Sequence, residues 1–218
     1  MIQFYTLALC VLTLAAYQTH EPSYTISGTI TEDAKDITMV YLTERIGDET
    51  IKLDSAVVKN GKFTFTGRQD SAKYCWLDLH TPERMHSCGD LFLENGNITA
   101  ILGTPDEYPV TGTPNNDIYQ AYKDVVLGTN KALFEYTRSR ASLEDTQETR
   151  DKLHKEWGQK RVEALENILN NHLNTAVGLH FFINYKLSKE KRLELIPKLS
   201  DELLRNPKVQ KIIKETKE

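Results

Sequence analysis

Residues Leu53–Gly67, reading LDSAVVKNGKFTFTG, constrain the fold of this chain more than any other stretch. Asn60-Gly61 is a two-residue turn signal, because both central positions of a type I′ turn need positive φ and this pair adopts it at least cost. Pairing outward from the turn sets Lys59 against Lys62, Val58 against Phe63, Val57 against Thr64 and Ala56 against Phe65. One face of the ribbon is then Ala56, Val58, Phe63 and Phe65; the other is Ser55, Thr64 and Thr66, with Val57 as the exception. A ribbon with one greasy face must lie on a core.

Related signals flank it. Tyr24–Ile30 alternates Tyr24, Ile26 and Ile30 with Thr25, Ser27 and Thr29, a half-buried strand in which Gly28 marks a bulge or a close approach. Residues 37–42 read as a second strand, the polar 43–50 as a loop, and 73–79 as a further strand. Leu91–Leu102 reads as another hairpin, turning at Asn95-Gly96, with Leu93 opposite Ile98 and Leu91 opposite Ala100. Val110–Thr113 closes the series, because Pro114 cannot extend a ladder. Short strands joined by tight turns predict an antiparallel β-sandwich or small barrel over residues 22–114.

The period then becomes helical. Asn115 or Asn116 can cap a helix with Asp117 in its first turn, and Ile118, Tyr122, Val125, Val126, Leu133 and Tyr136 share one stripe. A second helix from about Leu143 to Leu173 carries Leu153, Trp157, Ala164, Leu165, Ile168 and Leu169. Residues 176–185 form a short apolar helix, Ser188 caps another that Pro197 distorts, and Asn206-Pro207 opens a final turn whose polar end should fray. The fold class is therefore α+β: the β-domain, then an all-α module over 115–218. The helical stripes are core rather than a cofactor box.

The 218 residues, 39% hydrophobic and 27% charged, suffice for one large or two small cores. Residues 1–114 carry 8 Lys+Arg against 15 Asp+Glu, a net −7, and residues 115–218 carry 19 against 16, a net +3. The positive half mixes both signs as solvated helices do, which argues against a nucleic-acid partner. Residues 2–16, IQFYTLALCVLTLAA, are uncharged, mostly apolar and end in small residues. They read as a signal peptide spanning 1–16, cleaved near Ala16, although a basic n-region is missing. The stretch is short for a membrane span, so membrane contact is confined to an N-terminal anchor if the leader is retained. Cys10 does not make a lipoprotein site, since Leu9 stands where a small residue is wanted. The place a lipoprotein relative would use, after Leu14-Ala15-Ala16, holds Tyr17. Export would permit a disulfide between Cys75 and Cys88. A symmetric hairpin leaves them two to four residues out of register, at or beyond the ~7 Å Cα limit for a bridge.

Taken in order, Tyr24–Ile30, Val40-Tyr41-Leu42, Leu53–Val57, Asn60–Gly67, Leu91–Gly96 and Val110–Thr113 resemble domain of unknown function 4369, found at the N-terminus of exported thioredoxin-like proteins of Bacteroidetes-type bacteria. The helical half, including Leu187–Glu190 and Asn206-Pro207, is similar to the connecting segment of those proteins. In that family a thioredoxin-like domain with a Cys-x-x-Cys pair usually follows, whereas this sequence stops at Glu218 and contains no Cys-x-x-Cys. Thiol–disulfide exchange needs an activated thiolate beside a resolving thiol, so that activity does not carry over. The resemblance implies either a stand-alone accessory half of a thiol–disulfide system or a truncated relative.

Reactive motifs are sparse. There is no phosphate loop, no His-Glu-x-x-His and no Gly-x-Ser-x-Gly. His80, His86 and Cys88 cluster in sequence, but a structural zinc site wants four ligands in recognisable pairs. Asp54-Ser55 reads as a capped turn rather than a nucleophile with its carboxylate, since no histidine is near in sequence. Asn97-Ile98-Thr99 is turn chemistry. No catalytic, cofactor-binding or metal residue is assigned, and no cofactor is expected. The sequence-based expectation is an exported protein of the periplasm or cell envelope, a non-catalytic module that binds a partner protein or a small ligand.

Overall fold

The computed structural model describes residues 23–31, 36–80, 85–103, 108–139 and 147–218. The leader expected at 1–16, the turn near Pro82 and the helix start near Leu143 lie outside them. Eight strands come first: β1 (Tyr24–Ile30), β2 (Met39–Ile46), β3 (Glu49–Val57), β4 (Lys62–Gly67), β5 (Lys73–His80), β6 (Met85–Leu93), β7 (Gly96–Leu102) and β8 (Val110–Thr111). The helices are α1 (Pro114–Ser139), α2 (Gln147–Asn171), α3 (Ala176–Asn184), α4 (Lys189–Leu195), α5 (Asp201–Leu204) and α6 (Pro207–Lys217). A single 3-10 turn at Ile196–Lys198 follows α4, where Pro197 interrupts the helix.

The strands form two four-stranded sheets, ordered β4-β1-β7-β8 and β3-β2-β5-β6. Ile26, Phe63, Phe65, Ile98, Leu102 and Val110 of the first sheet share a buried cluster with Val40, Leu42, Leu77, Leu91 and Leu93 of the second. The architecture is thus a sandwich with no closed barrel. Its one departure from antiparallel pairing is β1 beside β7, which run parallel with Ile26 opposite Ile98.

The Asn60-Gly61 turn is present: φ is +52° and +69° at the two residues, and Lys59 and Lys62 exchange backbone hydrogen bonds of 2.8 and 3.0 Å. The pairing expected beyond it is not. From there β3 joins β2, with Val57 opposite Met39, while β4 joins β1, with Phe65 opposite Ile26. The turn is an arch between sheets rather than the end of a hairpin. The expected face survives: Ala56, Phe63 and Phe65 are buried and Val58 packs against them, whereas Val57 is 58% exposed. The same correction applies to 91–102, where β6 pairs with β5, and β7 with β1 and β8. The Asn95 carboxamide there is taken up by the backbone of Gln69, at 3.0 and 2.7 Å. A true hairpin lies in the stretch expected to be a loop: β2 and β3 pair out to Ile46 opposite Glu49, and Gly47 turns with φ +61°. Its end carries no alternation because it runs past the core, leaving Ile46 and Ile51 exposed.

The helices cover the second sheet, whose outer positions Tyr74 and Phe92 join their cluster with Phe181, Phe182, Ile168 and Val209. The outer face of the first sheet presents exposed Ser27, Thr29, Thr64, Thr66, Asn97 and Thr99. Sequence thus decides which sheet the helices choose: aromatic rings gain from being covered, hydroxyls do not. The expected fraying end is instead the 11-residue α6, capped by Asn206 with Pro207 in its first turn and burying Val209 and Ile212.

Gly28 is a close approach rather than a bulge. It lies opposite Phe63, and a Cβ there would sit 1.9 Å from the ring's Cζ. Because that ring is 3% exposed and cannot swing out, Gly28→Ala should destabilise the protein by about 1–3 kcal/mol through overpacking. Gly128, inside α1, meets nothing within 4 Å at its would-be Cβ, so Gly128→Ala should add about 0.5–1 kcal/mol from helix propensity. Urea denaturation of both variants checks the opposite signs.

Candidate functional site

The site begins at the junction of sheet and helix. Neither Asn115 nor Asn116 caps α1. The Asn116 carboxamide accepts from the Phe92 N–H at 2.9 Å and donates to the Phe92 carbonyl at 2.8 Å and to Thr113 Oγ1 at 2.7 Å, and the residue is 1% exposed. Asn115 holds Glu94 through its backbone N–H and its Nδ2, and its Oδ1 accepts from the Val177 N–H at 3.0 Å. These bonds fix the first turns of α1 and α3 against β6, and so fix what lies one and two turns further along α1.

There Tyr119 and Lys123, one turn apart, converge on Asp90 of β6. Asp90 Oδ2 accepts from the Tyr119 hydroxyl at 2.9 Å and from the Tyr74 hydroxyl of β5, and Oδ1 accepts from Lys123 Nζ at 3.3 Å. The Lys123 ammonium also stands over the Tyr119 and Tyr108 rings, at 4.9 and 5.3 Å. From α3, His180 lies against Tyr74 with ring centroids 4.1 Å apart, and the Tyr185 hydroxyl donates to that of Tyr122 at 2.8 Å. Burial, followed by the Asp90 charge, pushes the Tyr74 and Tyr119 phenols well above their ordinary range. Burial lowers Lys123 while Asp90 opposes it, and burial likewise lowers His180. The Asp90 side chain thus accepts from three donors, and both phenols are kept protonated.

Beside this network an amphipathic groove of about 560 Å³ opens between α1 and the Tyr108-Pro109 segment, with Tyr185 at its margin. One face of α1 supplies its wall: Gln120, Lys123, Asp124, Leu127, Asn130 and Lys131 recur at helical spacing. The inner half of the assembly fastens helix to sheet, and the outer half faces water. Its volume falls within the range of small-molecule sites.

The residues singled out from sequence lie elsewhere. Asp54 is exposed on β3 and accepts from the Ser55 N–H at 2.7 Å, as a capped turn would. His80, His86 and Cys88 fall on β5 and β6, with side chains outside those described. Cys75 lies opposite Leu91 rather than Cys88; its thiol is free and buried, and burial pushes it up to about 12. Such a thiol is the reverse of an activated one. Among the described residues no group of three or more His, Cys, Asp or Glu could hold a metal ion, and no helix is long and apolar enough to cross a membrane. The helical stripe drawn through Ile118 and Tyr122 passed over Tyr119, the most buried aromatic of α1. A carboxylate in the apolar run Asp90–Leu93 was the available signal, since such a residue needs partners from another element.

Residues 24–119 match the family model described as a domain of unknown function (DUF4369), a match that ends within α1 at Tyr119. A comparison with curated proteins finds no match.

Asn116→Ala leaves two backbone groups of Phe92 unpaired and should cost at least about 1–3 kcal/mol, read by denaturant unfolding. A second outcome concerns pH. Because His180 lies below its ordinary value of 6.5 in the folded protein, the unfolded chain takes up its proton first as pH falls. Its contribution is thus complete above pH 6.5 and is lost as pH drops towards the depressed folded value. Melting temperatures at pH 7.5 and 5.5 should show this loss, and His180→Asn should flatten it.

Proposed function

We propose, for a chain whose residues 24–119 match the DUF4369 family model, a non-catalytic binding module of the cell envelope with its ligand site in the groove along α1. The groove itself carries this reading: a preformed concavity with aromatic walls and a few fixed polar groups is what small-ligand sites share. Binding is favoured over catalysis by the state of the groups present. The described lining holds no Ser, Cys or His, the Tyr119 and Tyr185 phenols are held protonated, and Lys123 is engaged by Asp90. A nucleophile adjacent to its base is the signature that an acyl- or phosphoryl-transfer site would need. In the alternative, an accessory half of a thiol–disulfide system, Cys75 would not be an exchanging thiol, because it is buried.

Export rests on the uncharged leader at 2–16. Mass spectrometry of the protein isolated from its cells should find an N-terminus just after Ala16; a retained Met1 in soluble protein would overturn export by this route. A fragment screen by ¹H–¹⁵N NMR on the mature chain should give hits whose shifts concentrate on 108–110 and 120–131. Hits scattered over the surface, or none, would overturn the binding site.

A further inference from the structure

The chain has two Asn-Gly steps, Asn60-Gly61 and Asn95-Gly96. In such a step the asparagine side chain is open to attack by its own backbone, because no side chain on the glycine hinders the approach of its nitrogen to the preceding carboxamide. The fold treats the two steps in opposite ways. At Asn95 the carboxamide is bound at both ends, accepting from the Gln69 N–H at 3.0 Å and donating to the Gln69 carbonyl at 2.7 Å. The Gly96 N–H donates to the Ser23 carbonyl at 2.9 Å. At Asn60 the side chain is exposed, and among the described residues neither its carboxamide nor the Gly61 N–H has a hydrogen-bond partner. The bonds that hold this turn join other groups: Lys59 with Lys62, and the Gly61 carbonyl with the Ile30 N–H at 2.7 Å.

We infer that Asn60 is a site of spontaneous deamidation from which Asn95 is protected. The Gly61 nitrogen gives its proton to solvent base and attacks Asn60 Cγ. A C–N bond forms, the bond to the side-chain nitrogen breaks, and ammonia leaves with a proton, closing a succinimide. Water then opens the ring at one carbonyl or the other, giving aspartate or isoaspartate. At Asn95 three hydrogen bonds must break before nitrogen and Cγ can meet and at Asn60 none, which separates the rates by at least about tenfold.

The two products act differently on the arch between the sheets. Asp-Gly suits the same turn, and it places a carboxylate beside Lys59 and Lys62, whose like charges stand opposite one another. Isoaspartate adds a methylene to the main chain at a residue held at φ +52°, so Lys59 and Lys62 cannot keep both bonds without a shift of β3 or β4.

The test is peptide mapping by mass spectrometry of the mature chain incubated at mildly alkaline pH, folded and in concentrated urea, with an L-isoaspartyl methyltransferase to mark isoaspartate. In the folded protein Asn60 should convert at least about tenfold faster than Asn95. In urea the two should convert at similar rates, so that the fold and not the sequence makes the difference. Asn60→Gln should abolish the fast conversion and leave Asn95 unmarked. Asn95 converting as fast as Asn60 in the folded protein would overturn the protection. An Asn60 that converts in urea but is stable in the folded protein would overturn the site. Isoaspartate-rich aged protein should melt below fresh protein; identical melting would overturn the effect on the arch.

Discussion

One buried carboxamide joins the two halves of this molecule. β6 has β5 on one side only, and an uncovered strand edge carries backbone groups that must find partners. At Phe92 the Asn116 side chain supplies them, a donor and an acceptor in the spacing of a peptide group. Asparagine is the natural residue for this, since its amide copies the backbone it replaces. Helix α1 is thereby locked in rotation and in height, and Tyr119 and Lys123 meet Asp90 as a consequence. A helix held only by apolar contacts could slide or turn with little penalty; one held by paired amides cannot.

The second sheet is greasy on both faces, and this organises the rest. Leu91 and Leu93 point into the sandwich while Phe92 points into the helical cluster. With water excluded from both sides, a polar group on the outer face must be fully partnered. Asp90 meets that demand with three donors from two elements, whereas Asp78 meets it in part: Oδ2 accepts from Thr43 at 2.6 Å, and the buried Oδ1 makes no hydrogen bond and has the Arg45 guanidinium 3.7 Å away. The network at Asp90 differs in lying at the margin of the helical layer, where the same side chains that bind helix to sheet also border open space. Attachment and recognition share residues there.

How far the fold could be read from residues depends on the range of the interaction concerned. Alternation along Tyr24–Ile30 and Lys62–Gly67 correctly sorted inside from outside, because each side chain needs only a face, whichever strand lies alongside. The Asn60-Gly61 turn was equally legible, since its positive φ values are local. Pairing was not. Whether β3 continues beside β4 or parts from it depends on β1 and β2 competing for their edges, which a two-residue turn does not encode. Asn115 and Asn116 were misread for a related reason: by local rules they are caps, and only contact with Glu94 and Phe92 makes them a clasp. Asp90 could be found as an oddity in an apolar strand, but its partners come from β5 and α1. The groove, made by those partners, could not be seen before them.

The position of β1 has a consequence for how the molecule comes into being. Its neighbours are β4, at 62–67, and β7, at 96–102, so the first of the described strands stands in the middle of its sheet, with one neighbour made only by residue 67 and the second only by residue 102. Closing so distant a contact delays its reward, and meanwhile the strand that carries Tyr24, Ile26 and Ile30 waits with at least one edge bare. The nascent chain thus carries an incompletely paired apolar strand for much of its synthesis, and shielding that strand falls to whatever handles the emerging polypeptide.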